Sequence, residues 1–225
     1  MASSHLKRLV APKTWPIVRK TTTYITRPKP NGQRIQLTLP AVVLLREMLH
    51  LVQTAAQAKK ILRTREIKIN NTRVYDVDSS AGFMDVVTVD GKHYRIFLNK
   101  NNKLILFPVT NDASFTVQKI IGKTSIGKEK TQLNCASGKN IIVTKDNYKV
   151  NDSIAINNEN AIVAHYALEK GATVFLVGGS HIGKTGIVQT IEGNVIAIDA
   201  GNEIIETAKS HAYVIGKEKS AITLP

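Results

Sequence analysis

Acidic side chains are absent from the start of this 225-residue chain until Glu47, while nine basic residues precede that position. A long stretch with one sign of charge points to a polyanionic partner rather than to simple solubility, because a merely solvated surface mixes both signs. Cysteine is nearly absent too. Cys135 stands alone, which excludes an internal disulfide and a cysteine-based zinc cluster. Aromatic residues make up 5% of the chain, so its cores must be built mainly from Ile, Val and Leu. No run of 18 apolar residues occurs, so no membrane-spanning helix is expected. Met1-Ala2-Ser3-Ser4-His5 leads straight into Lys7 and Arg8 without an apolar signal core, and a cytoplasmic protein is expected. The six histidines, at 5, 50, 93, 165, 181 and 211, are scattered singly. That spacing suggests no metal site, and nothing in the chain implies a cofactor.

What is present is positive charge, unevenly placed. The net charge is +14. Residues 1–110 carry 19 Lys and Arg against 6 Asp and Glu, whereas residues 111–225 carry 12 against 11. Within residues 1–40, prolines at 12, 16, 28, 30 and 40 oppose regular helix and central strand. The expectation for 1–40 is an extended basic arm that orders on a partner. Its candidate contacts to a polyanion such as a nucleic acid are Lys7, Arg8, Lys13, Arg19, Lys20, Arg27 and Lys29, together with Trp15. An indole gains nothing in a free tail; a stacked base or a pocket on the protein itself would use it.

Pro40 to Val52 reads as a helix with Val42, Leu45, Leu49 and Val52 on one face. Thr54-Ala55-Ala56-Gln57 is a capping box that opens a second helix. In that helix Ala55, Ala58, Ile61 and Leu62 are expected to face inward, and Lys59, Lys60, Arg63 and Arg65 outward. Ile67-Lys68-Ile69, Asn70-Asn71 and Thr72-Arg73-Val74 then form a tight hairpin, since Asn tolerates positive φ. Asp85 to Val89 forms a strand ending at the turn Asp90-Gly91. The order of a basic helix, this hairpin and the Gly82-Phe83-Met84-Asp85-Val86-Val87 segment resembles the S4-type RNA-binding module over residues 41–107. Lys59, Lys60, Arg63, Arg65, Lys68 and Arg73 would share one side and pair with phosphates.

Residues 108–170 read as a central β-rich domain of short strands, with Lys149 to Ile156 as an edge loop and strand. No catalytic constellation stands out there. Residues 171–225 give five short strands with glycine turns, the pattern of an SH3-like barrel. Gly178-Gly179-Ser180-His181-Ile182-Gly183-Lys184-Thr185 matches the phosphate-loop pattern letter for letter. A working phosphate loop needs a helix at its Lys-Thr end. Here Gly186-Ile187-Val188 follows, which favours strand. The segment Lys170 to Val188 resembles a KOW motif instead, with Gly183 and Gly186 needed where the loop turns back and Lys184 at the tip.

Five segments, in order along nearly the whole chain, together resemble the S4e family of ribosomal proteins. They are His5 to Trp15, Ala81 to Val87, Lys149 to Ser153, Gly178-Gly179-Ser180, and Tyr213 to Lys217 with Ile222 to Pro225. The resemblance implies an α+β protein: an extended basic N-terminal arm, a small helical/β S4-type module, a central β-rich domain and a C-terminal KOW SH3-like β-barrel. It further implies docking on small-subunit ribosomal RNA beside neighbouring ribosomal proteins, without turnover, membrane attachment or homo-oligomerisation. The chain stops at Pro225 without the basic tail of longer eukaryotic members, which favours an archaeal type. Two alternatives belong to another class: a nucleotide-binding protein acting through Gly178–Thr185, and an RNA-modifying enzyme with an appended S4-type module.

Overall fold

A computed structural model describes residues 5–110, 112–127, 130–144, 146–201 and 203–224. The expectation about a leader at Met1–Ser4 and the Pro225 end of the last matched segment lie outside the described residues. The chain is mostly β-strand with few helices, and it divides into two units. The first holds residues 1–97 and 102–113; the second holds 98–101 and 114–225.

In the first unit, β1 (His5–Lys7) pairs antiparallel with β2 (Tyr24–Thr26). The N-terminal segment is therefore not an extended arm awaiting a partner. Its turns are closed by its own side chains. Arg19 donates to the carbonyls of Ala11 at 2.6 Å and Pro12 at 2.7 Å, satisfying groups that prolines leave out of a ladder. The Thr14 hydroxyl donates to the Gln36 carbonyl at 2.5 Å, and the Trp15 indole N–H donates to the Ile35 carbonyl at 3.3 Å. Trp15 is fully buried.

Strand β3 (Thr38–Pro40) leads into α1 (Ala41–Val43), which widens into a π-type turn over Leu44–Met48. The expected helix to Val52 is thus cut short. The Leu49 N–H bonds five residues back to Leu44 O, and His50 takes φ 52°, which ends the helical run. Val42, Leu45 and Val52 are buried as the helical face required, while Leu49 is only half-buried. Helix α2 (Ala55–Thr64) carries the expected capping box. The Thr54 hydroxyl accepts from Gln57 N at 3.2 Å, and the Gln57 amide oxygen accepts from Thr54 N at 3.1 Å. Ala58 and Leu62 are buried and Ile61 half-buried, but Ala55 is exposed in the first turn, before the helix meets the core.

The rest of the unit is β4 (Ile67–Ile69), β5 (Thr72–Arg73), β6 (Ser80–Gly82), β7 (Val86–Val89), β8 (Lys92–Leu98) and β9 (Leu104–Val109). Five of these strands form one sheet in the order β5-β4-β7-β8-β9, and β6 pairs with β3. Both predicted tight turns form. Asn70 and Asn71 take φ 48° and 64°, and Asp90 and Gly91 take 49° and 78°, as a twist-matched two-residue hairpin requires.

The second unit contains two five-stranded sheets. The first orders β10 (Phe115–Ile126), β11 (Lys130–Cys135), β12 (Asn140–Val143), β13 (Ser153–Asn157) and β14 (Ile162–Tyr166) as β12-β11-β10-β13-β14. β10 pairs with β13 along its first half and with β11 along its second, with a register shift at Ile120/Gly122. The segment expected at an edge, β13, is interior: β14 covers its other side. Its Ser-Ile-Ala-Ile run is buried on both faces, as an interior strand needs. The second sheet runs β18-β17-β16-β15-β19, from β15 (Thr173–Leu176), β16 (Thr185–Glu192), β17 (Val195–Asp199), β18 (Ile204–Ala208) and β19 (Ala212–Gly216). Its core is Val174, Leu176, Val188, Ile196, Ile198, Ile205 and Val214, the aliphatic packing that a chain poor in aromatics dictates.

Hydrogen bonds from Tyr213 and Lys119 join the sheets of this unit. The Tyr213 hydroxyl donates to Val117 O at 2.7 Å and accepts from Lys119 N at 3.1 Å. The Lys119 ammonium donates to the carbonyls of Lys209, Ser210 and Ala212 at 2.8, 2.9 and 2.7 Å.

Candidate nucleic-acid interface

A polar clasp fixes the foot of the hairpin that follows the basic helix α2. The Asp85 carboxylate accepts from Gly82 N at 2.7 Å and from the Asn70 side-chain amide at 2.8 Å. The Asn70 carbonyl oxygen in turn accepts from Val86 N at 3.0 Å. Asp85 is buried, so its oxygens must be bonded in this way. The clasp fixes the turn that carries Lys68 and Arg73.

From this frame Lys59, Lys60 and Arg63 project into solvent. None of the three makes an ion pair among the described residues. Arg65, by contrast, pairs with Asp90 at 2.8 Å, and Lys68 with Glu66 at 2.9 Å. The Lys68 hydrogen bond and charge hold the Glu66 carboxyl below its ordinary pKa. Arg73 lies over the Tyr75 ring, 5.0 Å from its centroid, and its guanidinium reaches Arg63 O at 3.5 Å. Acids from other elements therefore neutralise part of the face that looked uniformly basic along the helix.

Between the N-terminal segment and α2 runs a cleft of about 870 Å³. Arg27, Lys29, Lys59, Arg63, Tyr75, Asp76 and Asp78 line it. Lys29 bonds to Asp76 at 2.6 Å and lies 3.5 Å from Asp78. The Lys29 hydrogen bond lowers the Asp76 pKa, its charge adds to that, and Lys59 and Arg63 contribute from further away.

The N-terminal candidates divide sharply. Lys7, Lys13, Lys20, Arg27 and Lys29 are exposed. Trp15 is not available to stack on a base, because it is packed inside the protein. Arg8 is likewise withdrawn. It is buried, pairs with Glu47 at 2.9 Å and donates to Val18 O at 2.5 Å. Arg19 is half-buried and spends its guanidinium on loop carbonyls.

In the second unit the glycine-rich loop has no helix at its Lys-Thr end. Thr185 opens β16, and Gly183 N bonds back to Leu176 O at 2.9 Å. Gly183 N and Lys184 N, two of the backbone donors that a phosphate loop would aim at a nucleotide, are thus spent on bonds to Leu176 O and His181 O. Lys184 pairs with Glu203 at 3.0 Å, which holds that carboxyl below its ordinary pKa. Gly183 takes φ 79°, and a Cβ there would lie 2.7 Å from backbone atoms of Asn99 and Lys100. Gly186 is required for a different reason than a turn. Its Cβ would lie 2.4 Å from Asp199 O across the β16–β17 ladder.

Comparison with known proteins decides between the readings. The family model described as Ribosomal family S4e matches residues 90–162, and that of the RS4NT (NUC023) domain matches residues 2–30. Small ribosomal subunit protein eS4 of Methanospirillum hungatei is 34% identical over 233 residues, covering 97% of this chain and 96% of its own. Its namesake in Natronomonas pharaonis is 35% identical, with 95% of each chain covered. This chain belongs to the S4e family. The crystal structure of the 30S ribosomal protein S4e from Thermoplasma acidophilum matches with a TM-score of 0.72 at 26% identity, covering 80% of this chain and 96% of that one.

Within the S4e chain the two family models fall on different features. The RS4NT match contains all eight N-terminal candidates, buried Trp15 and Arg8 included. The S4e match runs from the turn before β8 to the first residue of β14. Helix α2 and the Gly178–Thr185 loop lie outside both and are covered by the nearly full-length relatives. The burial of Trp15 and Arg8 left a faint trace in the sequence. An indole between prolines, and an arginine beside Leu6 and Leu9, are as compatible with a folded segment as with a tail.

Proposed function

We propose that this chain is a structural constituent of the small ribosomal subunit, where it binds ribosomal RNA beside neighbouring ribosomal proteins and catalyses no reaction. The observation that carries the reading is the nearly end-to-end match to relatives named small ribosomal subunit protein eS4. The free cations of α2 support it: Lys59, Lys60 and Arg63 present unpaired charge from a rigid helix, which suits backbone phosphates. Exposed Lys7, Lys13, Lys20, Arg27 and Arg73 extend this surface, with Lys184 as a separate contact at the second unit. Residues 41–107 act as an S4-type module, 108–170 as a central β domain and 171–225 as a KOW barrel. The protein works as a single copy on the cytoplasmic ribosome.

Co-sedimentation with 30S particles, followed by crosslinking, tests the reading. Reversing Lys59, Lys60 and Arg63 to glutamate should release the protein from small-subunit RNA. Affinity should fall with salt at a log–log slope of roughly −0.7 to −0.9 per phosphate neutralised. Salt-insensitive binding, or full binding by the reversed variant, refutes it.

A further inference from the structure

The cleft beside α2 is built for more than backbone contact. Of the cations that line it, Lys59 and Arg63 lie one helical turn apart and carry no ion pair among the described residues. Tyr75 lines the same cleft with 55% of its surface exposed, and Arg73 lies over its ring. An exposed aromatic backed by a guanidinium is a stacking platform rather than a core group. Pro28, Ile35 and Val77 add apolar wall. The carboxylates of Asp76 and Asp78 also line the cleft, held in place by Lys29.

Each ligand class meets this mixture differently. A run of duplex phosphates gains from Lys59 and Arg63 but is repelled by two carboxylates, and has no use for the tyrosine. A free phosphate ion leaves the apolar wall unused. One unstacked nucleotide satisfies all of it: its phosphate meets the cations, its base meets the ring, and its amino or imino donors meet the carboxylates. At about 870 Å³ the cleft falls within the range of sites that enclose a small organic molecule. Single-stranded RNA is read in this way, by splaying bases onto aromatic side chains.

We propose that the cleft receives one extruded nucleotide of the small-subunit RNA, with the base on Tyr75 and the phosphate on Lys59 and Arg63. The inference rests on the RNA-binding reading above but is tested separately from it. The full-length protein is titrated with fluorescein-labelled oligouridine, oligoguanosine and oligocytidine single strands, and with a duplex of matched length. Single strands should bind the wild type, and Tyr75→Ala should weaken them by roughly five- to a hundredfold, the range measured for loss of one stacked base. Tyr75→Phe should keep wild-type affinity, and duplex binding should be unchanged in both variants. Unchanged single-strand affinity in Tyr75→Ala, or an equal loss for the duplex, overturns the proposal. If that happens while all variants still co-sediment with 30S particles, the cleft inference falls and the ribosomal reading stands. If the wild type itself fails to co-sediment, the ribosomal reading falls.

Discussion

Trp15→Ala separates two accounts of the N-terminal segment by their opposite consequences. If the indole stacks on RNA, its loss weakens binding and leaves stability alone. The structure demands the reverse. Trp15 is fully buried, and it is the only tryptophan in the chain. Burying an indole removes on the order of 200 Å² from water, and truncation leaves a cavity as well. The expected loss is about 3–5 kcal/mol. The Nε1–Ile35 hydrogen bond, at 3.3 Å, adds little to that. For a chain of this size each kcal/mol moves the midpoint by about 2–4 °C, so a drop of roughly 6–20 °C is expected. Trp15→Phe keeps most of the volume and should lose about 1–2 kcal/mol, since one hydrogen bond and part of a ring are gone. Far-UV circular dichroism in urea reads both variants. Intrinsic fluorescence of the wild type gives a second test, because all indole emission comes from Trp15. Saturating small-subunit RNA should leave that emission almost unquenched. Strong quenching, or a Trp15→Ala variant as stable as wild type with lost RNA affinity, would refute the burial argument.

The remaining expectations concern charge, backbone and pH. Burial pushes the Lys119 amine down to about 8 from 10.5, so the fold holds this proton less tightly than the unfolded chain does. Wild-type stability should therefore rise relative to Lys119→Met as pH increases through that window, by at most about 3 kcal/mol, measured by paired urea titrations; a falling difference would contradict it. At pH 7 the same variant should be destabilised by about 1–3 kcal/mol, because three carbonyls lose their donor. Gly183→Ala should lose at least about 1–2 kcal/mol from its left-handed backbone alone, and the Asn99–Lys100 backbone blocks relief. Gly186→Ala should lose about 1–3 kcal/mol through overpacking against Asp199 O, seen as a lower melting temperature. Lys184→Ala should leave ATP and GTP binding as absent as in wild type, whereas micromolar affinity lost in the variant would restore the phosphate-loop reading.

How far the sequence could be read follows from how far apart the partners lie. The Thr54–Gln57 capping box and the Asn70-Asn71 and Asp90-Gly91 turns are settled within four residues, and each forms as the local chemistry requires. The same locality undid the phosphate-loop match. Its letters are local, but its mechanism needs a helix, and the β-branched run after Thr185 belongs to a ladder with β17. Trp15 and Arg8 failed for the opposite reason. The carbonyl that accepts from Trp15 is 20 residues on, and the carboxylate that takes Arg8 is 39 residues on.

The fate of the charged face follows the same rule and limits what any charge count can say. Position along α2 placed Lys59, Lys60 and Arg63 outside, because the helical period alone decides that, and Arg65 is exposed just past the helix end. Availability is another matter. Arg65 pairs with Asp90, which arrives on the next hairpin, 25 residues later. Lys29 is held by carboxylates 47 and 49 residues away, which no i±4 search along a helix could find. A surface ion pair of this kind, exposed to solvent and screened by salt, adds little to the stability of the fold. Its effect is selection: it withdraws Lys29 and fixes carboxylates beside Tyr75, while Lys59 and Arg63 carry no ion pair among the described residues. Freeing Lys29 by the paired substitution Asp76→Asn and Asp78→Asn should therefore strengthen nonspecific duplex binding while eroding any preference for single strands, read by titrating labelled duplex and single-stranded RNA.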